Sequence, residues 1–508
     1  MKGVVAAGDR FTAEAAAEIL RVGGNAFDAA VSACFAAPMA EPALTSVGGG
    51  GFLLAVSPDS PPLLYDFFVD VPPKRLESPE FYPVYVDFGD TVQEFHVGAG
   101  SVAVPGFVAG LLRLHEERGK LSLKEVLSVA IDYARNGVTL SPLQASFVKL
   151  LEPIFTATEE SRRIFAPDGR LIDSTRPFKN PDYAEFLELL AEEGQWVFYE
   201  GEIADRIEEI SKERGGLLRK EDLSRYKVVE RKPLSFSFKG RKVYTNPPPS
   251  SGGILIAFTL KLLDSVELKT WGSVEHVSSL IESMRVTSKF RSWFVDGKLH
   301  EEGIESLLED KELIESFRKL FKGKLNLWGN TTQISVIDSE GNGVSVTTTN
   351  GEGSGVVIPG TGVMLNNMLG EEDLNPLGFF KWPPYVRLPS MMSPTALFNG
   401  NRVELLLGSA GSNRIRSAVV QVILNYVLFQ KEIKEAVSLP RLHYERGEVF
   451  MEPGFPEEAV KEVMKHYRTT LFSDKNLFFG GVQAVTGDYA AAADDRRGGA
   501  VIVLRVKR

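Results

Sequence analysis

Cysteine is almost absent. The chain of 508 residues holds one, Cys34, inside the apolar run Ala29 to Ala37. A lone cysteine excludes an internal disulfide and a cysteine-built zinc site, and reads as a small core side chain. Histidine is scarce too. The six residues His96, His115, His276, His300, His443 and His466 never fall at the spacing of a helical or hairpin metal motif, so neither a metal nor another cofactor is expected. Positive charge is not in excess: 57 basic against 67 acidic side chains leave a net charge of -10. That balance argues against a nucleic-acid partner, which calls for a basic stripe. Long apolar runs are missing as well. No segment approaches the roughly 18 residues of a membrane span. The apolar stretch after Lys2 is too short for a secretory signal and meets Asp9-Arg10 at once. No membrane association is expected, and the chain as given reads as soluble and cytoplasmic.

What is present suits one large layered α/β protein. The composition is 44% hydrophobic and 24% charged, ample for a substantial core. Thr12 to Val22 reads as a helix ended by Gly23-Gly24, and a second runs from Phe27 to about Pro38. Gly48-Gly49-Gly50-Gly51 feeds a strand through Val56; no Lys-Ser/Thr follows, so a phosphate loop is excluded. Residues 121–215 are largely helical. Leu234 to Thr245 alternates as strand with a turn at Gly240. Pro247-Pro248-Pro249-Ser250-Ser251-Gly252-Gly253 reads as a turn before a helix at 254–263, with further helices to about Phe321. Lys322 to Asn330 reads as linker. Later elements are helices near 414–430 and 457–466 and a last strand from Ala500 to Val506. The acidic pair Asp494-Asp495 lies in a mixed-charge turn with Arg496-Arg497 and reads as structural.

The informative segment is Thr331 to Thr349. Ile334 and Val336 on one arm and Val344 and Val346 on the other surround the turn Ser339-Glu340-Gly341-Asn342-Gly343, the pattern of a β-hairpin. A turn centred near residue 341 sets Thr331 across from Thr349 or Asn350, so the hairpin returns a second polar side chain to its own start. A threonine after a flexible Gly-Asn linker can attack the preceding carbonyl, here that of Asn330. The released α-amine, with an ordinary pKa of about 7.7–8.0, can then act as general base for its own hydroxyl. Threonine is also simply a good strand former, and the hairpin alone does not choose between these roles.

The surrounding motifs do choose. Asn330-Thr331-Thr332-Gln333-Ile334-Ser335 resembles the processing site of gamma-glutamyltranspeptidases. So, in order along nearly the whole chain, do Gly23-Gly24-Asn25-Ala26-Phe27-Asp28, Gly48-Gly49-Gly50-Gly51-Phe52, Ser101-Val102-Ala103-Val104-Pro105-Gly106, the Pro247 to Gly253 turn, Gly353-Ser354-Gly355, Pro359-Gly360-Thr361-Gly362, Pro389-Ser390-Met391-Met392-Ser393-Pro394 and Gly408-Ser409-Ala410-Gly411-Ser412-Asn413-Arg414. The resemblance implies an N-terminal-nucleophile αββα sandwich with mainly antiparallel sheets. Cleavage after Asn330 would give a large fragment, 1–330, and a small one, 331–508, held together as one unit, with a dimer of such units compatible with the family. It implies Thr331 as nucleophile, Thr349 hydrogen-bonded to it, and the backbone N–H groups of Gly411 and Ser412 as oxyanion hole, although the second of these is normally glycine.

The chain departs from the family where the substrate is held. Phe68 stands where an arginine grips the substrate carboxylate, and Ser390-Met391 replaces a serine pair. Met368 and Glu371 occupy the ammonium-binding places, and a further substrate-binding asparagine of the family corresponds to Asn350 only across a two-residue deletion. These changes make the pocket more apolar and predict weakened gamma-glutamyl recognition with the acyl-transfer machinery kept. Arg75 and Arg387 are the cations near enough in sequence to compensate. The leading reading is a threonine hydrolase or acyltransferase for a gamma-glutamyl compound or related small amide. The alternatives are an acylase for a different amide, as in the similar cephalosporin-type acylases, and an uncleaved, non-catalytic relative.

Overall fold

The structure, a computed structural model, describes residues 3–87, 92–318 and 331–505. The linker expected at Lys322 to Asn330, the cleavage residue Asn330 and Val506 lie outside the described residues. In chain order the strands of the two main sheets are β1 Gly3–Ala7, β2 Gly50–Ser57, β3 Ser60–Phe67, β4 Val229–Arg231, β5 Leu234–Phe238, β6 Arg241–Thr245, β7 Thr332–Asp338, β8 Gly343–Thr349, β9 Thr395–Asn399, β10 Arg402–Ala410, β11 Gly481–Thr486, β12 Ala491–Ala493 and β13 Ala500–Leu504. A seven-stranded sheet runs β13-β1-β7-β8-β2-β3-β4, and a six-stranded sheet β12-β11-β10-β9-β6-β5. Every pairing in both is antiparallel.

The sheets pack face to face, and helices cover both outer faces. Helices α1 (Arg10–Arg21) and α2 (Ala26–Ala40) lie on the first sheet. Helices α3 (Ser251–Asp264) and α4 (Arg414–Val427) lie on the second, with α5 (Glu457–His466) further out. Two cores result. Val5, Ala7, Ile334, Val336, Val344 and Val346 meet the helices over the first sheet, while Val4, Ala6, Phe52, Ile337 and Leu406 belong to the core that includes the second sheet and its helices. Cys34 is buried in the first. Asp494 is buried and accepts from Arg441, Arg496 and the Val482 amide, which confirms a structural part for that turn.

Most element readings hold. Strands 234–238 and 241–245 and helix 457–466 match within a residue. Three differences are instructive. Helix α1 opens at Arg10 because the Asp9 carboxylate accepts from the Phe11 amide at 2.8 Å. Helix α3 starts at Ser251, so Gly252-Gly253 is helix and not loop. A Cβ at Gly253 would lie 1.8 Å from the Asn246 carbonyl oxygen, so those glycines are selected for close approach. Strand β1 was missed, being a short run with no polar alternation of its own.

The β7–β8 hairpin pairs Val336 with Val344 and Thr332 with Thr348. One step further puts Thr331 opposite Thr349, as expected. Both strands of the hairpin are buried along their whole length. Its polar residues Gln333, Ser335, Ser345 and Thr347 are all at most 1% exposed and form a layer between the sheets. Gln333 donates to Ser345 at 2.9 Å and accepts from Thr347 at 2.5 Å; Ser335 donates to the Gln483 carbonyl and Ser345 to the Leu407 carbonyl, each at 2.9 Å. Buried polar groups tied in this way fix the register of one sheet on the other. Gly408 makes room: a Cβ there would lie 2.2 Å from Gln333 Oε1. Gly408→Ala is expected to lower stability by about 1–3 kcal/mol, read as a lower melting temperature; an unchanged melt contradicts this account of the layer.

Candidate active site

Residues on one side of the hairpin, 331, 333 and 335 with 345, 347 and 349, face the space between the sheets. Where that space ends, it opens as a recess of ≈ 630 Å³. Thr331, 4% exposed, and Thr349 line it, together with Ser412 from the loop after β10. Thr349 Oγ1 accepts from the Gly351 amide at 3.0 Å, which fixes its rotamer. Phe68, Met368, Glu371, Ser390 and Met391 also line the recess. The structure thus brings together all but one of the side chains expected at the site. The exception is Asn350. It is buried in the tight turn after β8, its carbonyl accepting from Gly353 and Asn367, and it does not line the recess.

Gly411 and Ser412 lead into α4. Their carbonyls accept from the Arg414 and Ile415 amides at 3.0 Å each, so the positive end of a 14-residue helix faces the recess beside Thr331. Both residues have positive φ, 118° and 47°. For Ser412 this left-handed backbone costs roughly 1–2 kcal/mol, which explains why glycine suits the place. Its hydroxyl offsets that cost by donating to Asp373 Oδ2 at 2.6 Å.

The charges at the recess were not those expected. Arg387 donates to the Asp66 and Asp70 carboxylates at 2.7 and 2.6 Å and to the Lys227 carbonyl. Arg75 is spent on the carbonyls of Pro72, Lys74 and Trp382. Neither lines the recess, so neither replaces the arginine missing at Phe68. The cation that does line it is Arg291, joined to Asp296 at 3.0 Å and to Asn413 at 2.8 Å. Asp373 stands beside it. Burial raises the Asp373 pKa, opposed by the Ser412 hydrogen bond and Arg291. Burial, then Glu352 and Asp373, hold Glu371 well above the carboxylate range, and its Oε1 is shielded from solvent without a hydrogen-bond partner. The sequence offers no pattern that turns Arg291 and Asp296 inward. Asp373 had one faint signal, the serine at a glycine position. Elsewhere the wall is apolar: Phe68 packs on Phe52 with ring centres 5.4 Å apart, near Leu299, Leu374 and Trp382.

On the opposite face of β7, Thr332 points to α2. Its hydroxyl donates to Glu41 at 2.6 Å, and Thr12 donates to the same carboxylate at 2.7 Å. Glu41 is fully buried. Burial, and then Asp9, raise its pKa to about 7. This carboxyl braces the backbone next to Thr331 from behind.

Residues 12–504 match the family model described as gamma-glutamyltranspeptidase. The glutathione hydrolase proenzyme of Escherichia coli (strain K12) is 30% identical over 502 residues, spanning 91% of this chain and 84% of its own. The crystal structure of a cephalosporin acylase from Bacillus halodurans superposes with a TM-score of 0.89 at 25% identity, covering 100% of this chain and 96% of its own. A chain of Helicobacter pylori gamma-glutamyltranspeptidase, 28% identical with a TM-score of 0.54, covers 61% of this chain and 89% of its own. These likenesses put the αββα architecture among the N-terminal-nucleophile hydrolases.

Glu41 makes a pH test of the brace. Below its ordinary value of 4.5 the carboxyl is protonated folded or unfolded and costs nothing; between 4.5 and about 7 only the unfolded chain ionises, so stability is lost as pH rises, and the loss is constant above. Glu41→Gln removes that loss. The variant is expected to melt higher than the parent at pH 8, by about 2–3 kcal/mol, and to show no such gain at pH 4. Equal differences at the two pH values contradict it.

Proposed function

Because the chain belongs to the gamma-glutamyltranspeptidase family, we propose that Thr331 is the nucleophile of an autoprocessed enzyme that hydrolyses or transfers the acyl group of gamma-glutamyl or related amides. The observation that carries this reading is the convergence of Thr331, Thr349 and the N-terminus of α4 on one recess. Maturation proceeds by attack of Thr331 Oγ1 on the Asn330 carbonyl, an N-to-O acyl shift, and hydrolysis of the ester. Asn330 keeps a carboxylate and Thr331 gains a free α-amine. In turnover that amine takes the hydroxyl proton as Oγ1 attacks the substrate amide. The Gly411 and Ser412 amides stabilise the tetrahedral oxyanion, where each such donor contributes about 3–4 kcal/mol. The amine proton then passes to the leaving group. Water, or an acceptor amine, releases the acyl group from Thr331.

Cleavage does not separate the fragments in this reading. In the first sheet β1, from residues 1–330, sits between β13 and β7, both from residues 331–508. In the second, β6 pairs with β9 across the same divide. Pulling the pieces apart would unpair strands on both sides, so they remain one unit.

The acyl pocket argues for a chain less charged than gamma-glutamyl. Phe68 and Met391 offer a substrate carboxylate no donor, and an unpaired carboxylate against them is costly. Glu371, its Oε1 buried without a hydrogen-bond partner, suits a polar group on the substrate better than a second carboxylate. Two experiments test the reading. Denaturing mass spectrometry is expected to show fragments of 330 and 178 residues for the natural sequence and one intact chain for Thr331→Ala; an uncut natural chain assigns the protein to the non-catalytic alternative. Among 4-nitroanilides, the butyryl compound is expected to exceed the gamma-glutamyl one by about tenfold in kcat/KM. The reverse order restores gamma-glutamyl specificity.

A further inference from the structure

The loop that leads into α4 is held from outside. Gly411 has no side chain, and a Cβ there would lie 2.9 Å from the Gly480 Cα. Ser412 and Asn413 both turn to one acid. Ser412 Oγ donates to Asp373 Oδ2 at 2.6 Å, and Asn413 Nδ2 lies 3.2 Å from each oxygen of the same carboxylate. An asparagine just before a helix ordinarily caps it; Asn413 makes no such side-chain bond. Its Oδ1 accepts from Arg291 at 2.8 Å, its carbonyl from Arg416 Nε at 3.3 Å, and its Nδ2 also reaches Glu445 at 3.3 Å. Among the described residues, Asp373 is the one acid that accepts from both loop side chains. It stands on the wall that the recess shares with a second, wider cleft. Its own segment is pinned. The Leu374 carbonyl accepts from Trp382 Nε1 at 2.9 Å, and Asn375 Nδ2 donates to the Glu371 and Met368 carbonyls at 2.7 and 3.0 Å.

We propose that Asp373 is the positioning residue of the oxyanion hole, holding the peptide between Gly411 and Ser412 with its N–H toward the recess. The φ of Ser412, 47°, belongs to one orientation of that peptide plane. Turning the plane over changes ψ of Gly411 and φ of Ser412 together, by about half a turn, and returns Ser412 to the negative φ that a residue with a Cβ prefers. The same movement swings the Ser412 N–H away and puts the Gly411 carbonyl oxygen in its place, which would repel an oxyanion. The Gly411 carbonyl would also give up the Arg414 amide. A serine gains backbone relief by that turn, and its bond to Asp373 opposes it. The bonds from Asn413 keep the same carboxylate in step with the start of α4. Asp373 thus acts on the reaction through Ser412. Its contribution is felt when the oxyanion forms, not when substrate binds. The inference rests on Thr331 being the nucleophile and on the Gly411 and Ser412 amides being its oxyanion donors.

The test is steady-state kinetics with whichever of the butyryl and gamma-glutamyl 4-nitroanilides the natural protein turns over better. Asp373→Ala is expected to lower kcat about 100-fold, the effect of a misplaced catalytic group, with KM within about threefold. In a Ser412→Gly background the left-handed backbone needs no tether, so the same Asp373→Ala change should cost about tenfold at most. A merely structural part for Asp373 would cost the same in both backgrounds. A second comparison leaves Asp373 in place and serves if its variant does not fold. Ser412→Ala keeps the Cβ and loses the tether, whereas Ser412→Gly loses both, so the alanine variant should be slower than the glycine one by about tenfold or more. A kcat for folded Asp373→Ala within about threefold of the natural value, an equal loss in the two backgrounds, or Ser412→Ala as fast as Ser412→Gly overturns the proposal. A natural protein that turns over neither anilide loses the Thr331 reading and this inference with it. An active one with any of those contrary results loses this inference alone.

Discussion

The antiparallel ladder between β7 and β8 is the interaction on which everything else rests. It lies inside the seven-stranded sheet, flanked by β1 and β2. Its register places a threonine at each end of one rung, Thr331 and Thr349, and a slip by one residue would turn both away from the recess. Three sets of contacts hold that register. The apolar side chains Ile334, Val336, Val344 and Val346 are buried under α1 and α2. The polar layer from Gln333 to Thr347 bonds to the carbonyls of β10 and β11. Glu41 clamps Thr332 from behind. The placement of Thr331 in the recess thus depends on groups that lie outside it.

The site shows local costs offset by specific partners. Ser412 occupies a left-handed conformation and donates to Asp373. Asp373 also accepts from Asn413, which in turn accepts from Arg291. The serine, the acid and the arginine thus form one chain of contacts from the loop before α4 to the shared wall of recess and cleft. Phe68 gives the recess an apolar wall, and the charged groups that line it are Arg291, Asp296, Glu371 and Asp373.

Much of this was legible in the sequence, for physical reasons that differ by element. The hairpin was readable to its register because alternation and a Gly-Asn-Gly turn constrain it twice over. The alternation marks which residues share a face but not what covers it: residues 333, 335, 345 and 347 are buried because a second sheet lies over them. Helix α3 was read three residues late because Gly252-Gly253 signals a turn locally, whereas packing on Asn246 demands glycine within the helix. The motif residues at 68, 368, 371, 390, 391 and 412 meet at the recess as the family pattern implied, but Asn350 does not, because its place depended on an alignment across shortened chain. Arg291, Asp296, Asp373 and Arg416 were invisible: single charged residues on helices and loops carry no mark of which way they face.

The most direct test of the central claim is to locate the acyl group. The matured protein would be treated with an acylating ester and rapidly acid-quenched, and its peptides mapped by mass spectrometry. The account predicts a single stoichiometric acyl group on the peptide that begins at Thr331, with the α-amine of that residue unblocked and the label on its hydroxyl oxygen. Acylation at any other side chain, or a Thr331 peptide that carries no label while turnover proceeds, would contradict it.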